Sequence, residues 1–223
     1  MAEPMPNDGR AERAPSTARG RATLRRILAA AEREFGTRGY HAASVSGITR
    51  ASGVAQGTFY IYFPGKEQIF AELVRHVGRQ LRAAMSAGAA DAPDRLAAER
   101  AGLRAFLAFL GEHPHLYRIV QEAQSVDETL YREYYLDIAR GYAAGLQRAA
   151  EAGELRGGEG RVDYEVRAWA LMGLGHFLGL RYGLWPGDGA APDEAVIDAA
   201  MDFVAHGLAP ARDSGSSLAE EAR

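Results

Sequence analysis

Apolar side chains recur three or four residues apart along most of the chain, which is the spacing of one face of an α-helix. The first such run follows Thr23, a predicted N-cap, and contains Leu24, Ile27, Leu28, Ala31 and Phe35. No alternating run is long enough for a sheet. Capping residues, glycines and prolines divide the pattern into nine helices, predicted at residues 23–38, 44–52, 55–62, 66–85, 93–112, 114–124, 127–153, 163–184 and 192–207. The pattern therefore predicts an all-α protein of about nine helices.

Composition shifts divide this helical chain into four segments. Residues 1–20 and 210–223 are rich in small and polar residues without periodicity, and we interpret them as a disordered arm and a disordered tail. Residues 21–68 hold three short helical patterns, and residues 69–209 hold the rest. We expect a small first domain and a larger helical second domain.

The stretch GVAQGTFYIYFPGK at residues 53–66 carries the pattern of a helix-turn-helix. A helix at 44–52 meets a tight turn at Gly53, and a second helix over 55–62 is stopped by Pro64. Phe59 and Phe63 lie four residues apart and share a face, so both rings are predicted to point into a small core. Tyr60 and Tyr62 then point outward, although aromatic residues at such a spacing can also be ordinary core.

The outward set has the chemistry of a DNA-reading surface. Gln56 can bond an adenine edge, the Thr58 methyl can touch a thymine methyl, and Gly57 lets the backbone approach closely. Tyr60 and Tyr62 can reach phosphates. Phosphates also suit helix N-termini, where the sequence places Ser44, Ser46 and Lys66, the only lysine. A solvated first-turn residue is the alternative for Lys66.

The charge distribution agrees with a DNA-binding front. The net charge is −3, but residues 1–70 hold ten basic and six acidic residues, and the remainder holds sixteen and twenty-three. A basic N-terminal part and an acidic remainder are expected if only the N-terminal part contacts phosphate. Genome composition is the alternative explanation for this asymmetry.

Residues 23–70 resemble the DNA-binding domain of the tetracycline-repressor (TetR) family. The matching features are ILAAAEREF, RGY, Gly53-Val54, GTFY, Tyr62-Phe63 and Lys66-Glu67. The resemblance implies DNA contacts at Thr58, Tyr60, Tyr62, Lys66 and Gln56, and a helical ligand-binding and dimerisation domain in the body. Three residues depart from the pattern: Ala55, Gly65 and Ser46. Ala55 replaces a capping residue, which weakens the cap by about 1 kcal/mol.

Two features of the body suggest a dimer and a ligand pocket. One helix face is lined by Gly175, Gly179 and Gly183, and the last helix offers an apolar face with Val196, Ala200 and Phe203. Together the two faces predict a four-helix bundle across a two-fold axis. A close contact within one chain is the alternative for the glycines. Ligand pockets are mainly apolar with a few polar groups. The candidate lining residues are Phe109, Tyr117, Gln121, Tyr134, Trp169, Met172 and His176.

Together these patterns predict a cytoplasmic homodimer that binds double-stranded DNA. It would act as a repressor released from a palindromic operator by a small, mainly apolar or aromatic effector. The chain has no cysteine, no apolar run of membrane-spanning length and no h-region of a secretory signal. We expect no enzyme activity, metal or cofactor, because no HExxH, GxSxG or P-loop motif occurs. The competing interpretation is a helical interaction protein whose helix-turn-helix domain does not bind DNA.

Overall fold

The computed structural model describes residues 17–158, 160–185 and 194–206, which form nine α-helices and one π-helical segment and contain no strand. The helices are α1 (Ala18–Ala42), α2 (Val45–Ser52), α3 (Gln56–Tyr62), α4 (Lys66–Gly88), α5 (Arg95–Glu112), α6 (Pro114–Val126), α7 (Glu128–Glu151), α8 (Arg161–Leu178) and α9 (Glu194–His206). This confirms the all-α prediction. Of the predicted arm and tail, residues 1–16 and 210–223 lie outside the described residues.

The chain divides into two compact units. The N-terminal unit comprises Met1–Ala84 and Phe109–Gly141, and the C-terminal unit comprises Met85–Ala108 and Tyr142–Arg223. The first three helices therefore form a compact body with most of α4, with α6 and with the first half of α7. The predicted domain boundary between residues 68 and 69 stays a prediction.

Helix α1 begins earlier than its apolar pattern indicates. Its N-cap is Thr17, whose hydroxyl accepts a hydrogen bond from the Gly20 amide at 3.1 Å. Thr23, the predicted cap, lies inside the helix and donates its hydroxyl to the Arg19 carbonyl at 3.1 Å. The first turn was missed because it contributes no apolar side chain to the core.

Aromatic packing holds the N-terminal unit together. Phe35 of α1 meets Phe70 of α4 edge-on at 5.2 Å between centroids, and Tyr40 meets the same ring at 4.9 Å. Phe59 of α3 is fully buried, and Phe63, the residue that follows α3, is also buried. Helix α1 packs against both α2 and α6, so these three helices share a core. The predicted inward orientation of Phe59 and Phe63 is confirmed.

The C-terminal unit has its own core, in which Leu146 of α7 packs with Tyr164 and Ala168 of α8. Helix α9 is joined to α5 by surface ion pairs: Arg104 Nε lies 2.7 Å from Glu194, and Arg100 bonds the same carboxylate at 3.1 Å. Exposed pairs of this kind stabilise a fold only weakly. Helix α8 ends at Leu178 and continues as a π-helical segment, Gly179–Leu184, where the sequence predicted one uninterrupted helix.

Candidate nucleic-acid interface and effector site

The exposed face of α3 combines polar, aromatic and aliphatic side chains. Gln56 and Gly57 are exposed, Thr58 is half-buried, and Tyr60 is 50% exposed. A methyl group added at Gly57 would meet nothing within 4 Å, so the backbone there is open to an approaching molecule. Because Phe59 anchors the helix from behind, this face is presented on a fixed support.

Three features fix α2 and the turn that follows it, before α3. The Ser44 hydroxyl accepts from the Gly47 amide at 3.0 Å, which confirms Ser44 as the N-cap of α2. Gly53 has the left-handed backbone (φ 64°, ψ 28°) that favours glycine. Arg26 of α1 donates to the carbonyl oxygens of Ser52 at 2.6 Å and Gly53 at 3.1 Å. Ser46 is exposed on α2, where its hydroxyl is available for a phosphate.

The two tyrosines of α3 have different surroundings. Tyr60 is exposed, as its predicted role requires, and its ring meets Phe59 edge-on at 5.5 Å. Tyr62 is half-buried, and its hydroxyl donates to the Gly20 carbonyl of α1 at 3.3 Å. Tyr62 therefore ties the first turn of α1 to α3, and its predicted phosphate contact would need this bond to be exchanged.

The ammonium group of Lys66 is held by backbone oxygens. It donates to the carbonyls of Tyr40 at 2.9 Å and Ala43 at 3.3 Å, with His41 at 3.5 Å, and it lies 4.3 Å from the centre of the Tyr40 ring. An ammonium has three donors, and all three are directed at the end of α1 and at Ala43 directly after it. The phosphate contact predicted for Lys66 stays a prediction, and the geometry favours a supporting role behind the interface.

Ile61 is a candidate interface residue that the sequence pattern missed. It is 79% exposed on α3, one turn after Gly57 and beside Tyr60. Ile61 shares a helix face with Gly57, four residues earlier, so its exposed side chain extends the candidate interface. The available signal was its spacing: Phe59 and Phe63 already fill the inward face, and Ile61 falls between them.

The seven predicted effector residues are divided between the two units. The N-terminal unit contains Phe109, Tyr117 and Tyr134, which are buried, and Gln121. Burial raises the pKa of Tyr134 to about 12. Trp169, Met172 and His176 belong to the C-terminal unit, and desolvation lowers the pKa of His176. Their predicted roles in ligand binding stay untested.

A cleft of about 610 Å³ lies inside the C-terminal unit. Its walls are mainly apolar, from α7, α8, α9 and the segment after α7, and include Leu146, Leu155, Leu171, Leu174, Phe203 and Val204. Charged side chains also line it: Glu99 of α5, whose carboxylate accepts a hydrogen bond from the Tyr142 hydroxyl, Arg167 of α8, and Glu154 and Arg156 after α7. None of the seven predicted effector residues is among the lining residues of this cleft. Its volume is within the usual range for small-molecule sites.

The glycine face predicted as a dimer interface is directed partly into its own chain. A Cβ on Gly175 would lie 3.9 Å from the Phe106 ring of α5, and Gly179 is buried. Gly183 and Val196 are half-buried, Ala200 is buried, and Phe203 is exposed. The alternative of a close contact within the chain therefore fits Gly175 and Gly179 better.

Another face of α8 carries an exposed apolar stripe. Val162, Val166, Trp169 and Phe177 are exposed at helical spacing, and Gly173 lies among them with open space at its Cβ position. We call these four side chains the α8 stripe. Contiguous exposed apolar side chains mark interaction surfaces, so the stripe is the stronger candidate for a subunit contact.

Two further findings concern the described residues alone. None of their helices is long and apolar enough to cross a membrane. Within the same residues, no three His, Asp or Glu side chains come together in a way that could hold a metal ion.

Residues 27–73 match the family model described as bacterial regulatory proteins, tetR family. YdgC of Bacillus subtilis strain 168, an uncharacterized HTH-type transcriptional regulator, is 44% identical over 64 residues, which are 29% of this chain and 33% of YdgC. The alignment thus spans about a third of that relative's length.

Solved structures extend the likeness to most of the chain. FadR from Bacillus subtilis, solved with stearoyl-CoA, has a TM-score of 0.67 at 18% identity and covers 83% of this chain and 100% of its own. AibR, solved with isovaleryl coenzyme A and operator DNA, has a TM-score of 0.62 at 18% identity and covers 81% and 97%. At this identity the likeness establishes the fold.

Proposed function

We propose that the chain is a transcriptional regulator of the tetracycline-repressor (TetR) family, which binds a specific DNA operator and represses transcription there. The observation that carries the proposal is the exposed face of α3, where Tyr60 and Ile61 stand outward over the fully buried Phe59. Gln56, Gly57 and Thr58 complete this face, and Ser44 and Ser46 flank it. Such a regulator acts in the cytoplasm, where its operator is accessible.

Base recognition would come from the first turn of α3 and phosphate recognition from its surroundings. The Gln56 amide and the Thr58 methyl group suit adenine and thymine edges in the major groove. The Tyr60 hydroxyl and the Ser46 hydroxyl are exposed donors suited to phosphate oxygens. Tyr62 and Lys66 hold the interface in shape through their bonds to Gly20 and Tyr40.

Two copies of the chain would associate through the α8 stripe, with Phe203 of α9 at its border. Burying exposed apolar area contributes about 25 cal/mol per Å², and the stripe offers four large side chains in one row. A two-fold dimer would place its recognition helices about 34–36 Å apart, which matches successive major grooves. The expected operator is therefore palindromic.

The effector is proposed to be small and mainly apolar or aromatic, and to occupy the cleft of the C-terminal unit. The aliphatic walls of this cleft favour a chain-like apolar ligand. The FadR and AibR structures contain coenzyme A thioesters, which makes acyl-CoA compounds the first ligands to test. An effector that prefers a DNA-incompetent state would lower operator affinity by roughly 5–150-fold.

The test of DNA binding starts with selection of bound sites from random duplexes. Affinity for the selected site is then measured across salt concentrations by fluorescence anisotropy, for the wild type, Tyr60→Phe and Tyr182→Phe. Tyr182 is an exposed tyrosine outside α1–α3 and serves as the matched control. We expect a palindromic site, a steep salt dependence, weaker binding by Tyr60→Phe and unchanged binding by Tyr182→Phe. Failure to retain any duplex at low salt would favour the competing interaction protein.

The test of the effector site uses stearoyl-CoA, isovaleryl-CoA and coenzyme A alone in calorimetric titrations. Leu171→Trp fills the cleft with an indole. We expect an acyl compound to bind the wild type, to release the operator and to bind Leu171→Trp at least tenfold more weakly. Equal binding by the wild type and Leu171→Trp would place the effector elsewhere.

A further inference from the structure

The chain bends sharply near the C-terminal end of α1. Gly39 has φ 72° and ψ 164°, a conformation inside the α1 span that only glycine adopts readily. Tyr40 follows directly, and α2 begins five residues later at Val45. The backbone torsions at Gly39 therefore set the direction in which the chain enters the helix-turn-helix.

A carboxylate from α6 is placed against this bend. Glu122 Oε2 accepts a hydrogen bond from the Tyr40 amide at 3.0 Å. A Cβ at Gly39 would lie 2.7 Å from Glu122 Oε1, so a larger residue there would displace this carboxylate, and the torsion itself favours glycine. A hydrogen bond from a backbone amide to a carboxylate is charge-assisted and about twice as strong as a neutral one.

Two further hydrogen bonds of Tyr40 connect it to α4. Its hydroxyl donates to Glu67 Oε1 at 3.1 Å, and its carbonyl accepts from Lys66 at 2.9 Å. Glu122 adds a hydrogen bond from α6 to the Tyr40 amide. The residue after the bend is therefore held from both helices, and the carboxylate sets its position relative to α6.

A second contact brings α6 close to α1 on the same side. A Cβ at Gly36 would lie 2.5 Å from the Cβ of His115, so the two helices meet at a glycine. Gly36 and Gly39 are three residues apart on α1, and His115 and Glu122 are seven apart on α6, so each pair shares a helix face. The position of α6 is thus transmitted to the bend through fixed contacts.

We propose that Glu122 is a positioning residue that fixes the angle of α2 and α3 relative to α6 and so selects the half-site spacing of the operator. This inference rests on the proposed function. Without the carboxylate, the Tyr40 amide would bond to water, and the backbone torsions at Gly39 would lose the restraint that this hydrogen bond supplies. Each reading helix would then sample a wider range of orientations, and operators of incorrect spacing would bind relatively better.

The experiment compares the selected operator with versions that carry one base pair more or one less at the centre. Full-length wild type, Glu122→Ala, Glu122→Gln and Gln124→Ala are measured by fluorescence anisotropy. Gln124 is an exposed α6 residue near the same groove and is the matched control. We expect Glu122→Ala to reduce the preference for correct spacing by roughly fivefold or more, and Glu122→Gln, which keeps an acceptor oxygen, to restore most of it.

Hydrogen exchange and thermal unfolding separate positioning from general stability. The Tyr40 amide should exchange faster in Glu122→Ala and stay protected in Glu122→Gln. An unchanged spacing preference in Glu122→Ala, or an equal loss of affinity for all three operators, would overturn the inference and leave the proposed function intact. If the wild type selects no duplex, the proposed function itself fails.

Discussion

Replacing Lys66 by methionine tests whether this side chain supports the interface or touches DNA. The change keeps an unbranched side chain and removes the ammonium that donates to the Tyr40 and Ala43 carbonyls at 2.9 and 3.3 Å. A hydrogen bond to a charged group contributes about 1.5–3 kcal/mol, and an exposed cation–π contact about 0.5–1 kcal/mol. Because Lys66 is half-buried, we expect the lower part of these ranges, about 2 kcal/mol in total.

A loss of about 2 kcal/mol should lower the melting temperature by roughly 4–8 °C in a protein of this size. Differential scanning calorimetry measures it, with Arg75→Met as the control because Arg75 is an exposed cation on the same helix. Operator affinity is measured in parallel across salt concentrations. A lost phosphate contact would reduce the log–log salt slope by about 0.9 per protomer, or about 1.8 for the dimer on its operator, whereas a lost support leaves the slope unchanged.

The expected result for Lys66→Met is a lower melting temperature with the wild-type salt slope. The opposite pair of results, an unchanged melting temperature and a slope reduced by about 1.8, would refute the supporting role. It would show that the ammonium leaves the Tyr40 carbonyl and reaches a phosphate when DNA is bound.

Three further predictions concern other surfaces of the molecule. Ile61→Ala should leave the free energy of unfolding within about 0.5 kcal/mol and weaken operator binding by up to about 2 kcal/mol, the value of two to three buried methylene groups; equal operator affinity would exclude a DNA contact. Trp169→Glu places a charge in the α8 stripe and should raise the dimer dissociation constant at least about a hundredfold, as measured by sedimentation velocity; unchanged sedimentation would place the subunit contact elsewhere. Desolvation lowers the folded-state pKa of His76 and His176 below the usual 6.5, so the unfolded state binds more protons. The free energy of unfolding should therefore fall as pH drops through about 6.5 and level off below the folded-state pKa values. In urea denaturation, the double variant His76→Gln, His176→Gln should show a flatter dependence of this free energy on pH between about pH 5 and 7, and an unaltered dependence would contradict the prediction.

Local side-chain chemistry made much of the helix-turn-helix predictable. Ser44 caps α2 and Gly53 takes the left-handed turn because each role depends on the residue's own short side chain or its absence. Phe59 and Phe63 are buried because helical spacing places both rings on one face. The missing side-chain cap at Ala55 also agrees with the sequence.

Contacts between residues distant in sequence could not be predicted in the same way. The periodicity of α3 places the Tyr62 hydroxyl outward but says nothing of the Gly20 carbonyl, 42 residues earlier. The position of Lys66 in the first turn of α4 likewise does not reveal the Tyr40 carbonyl, 26 residues earlier. Both residues were interpreted as phosphate ligands, because a donor that bonds a carbonyl and one that bonds a phosphate have the same side-chain chemistry.

Helix α8 shows why a repeat of small residues does not identify the partner it faces. A glycine permits close approach by any neighbour, so the spacing of Gly175 and Gly179 was compatible with a second subunit or with the same chain. The structure places Gly175 beside Phe106 of α5. The evidence for association instead comes from large side chains: Val166, Trp169 and Phe177 on another face expose apolar area that their own unit leaves uncovered. Because exposed apolar area is costly in water and a missing side chain is not, the α8 stripe supports a dimer more strongly than the glycines do.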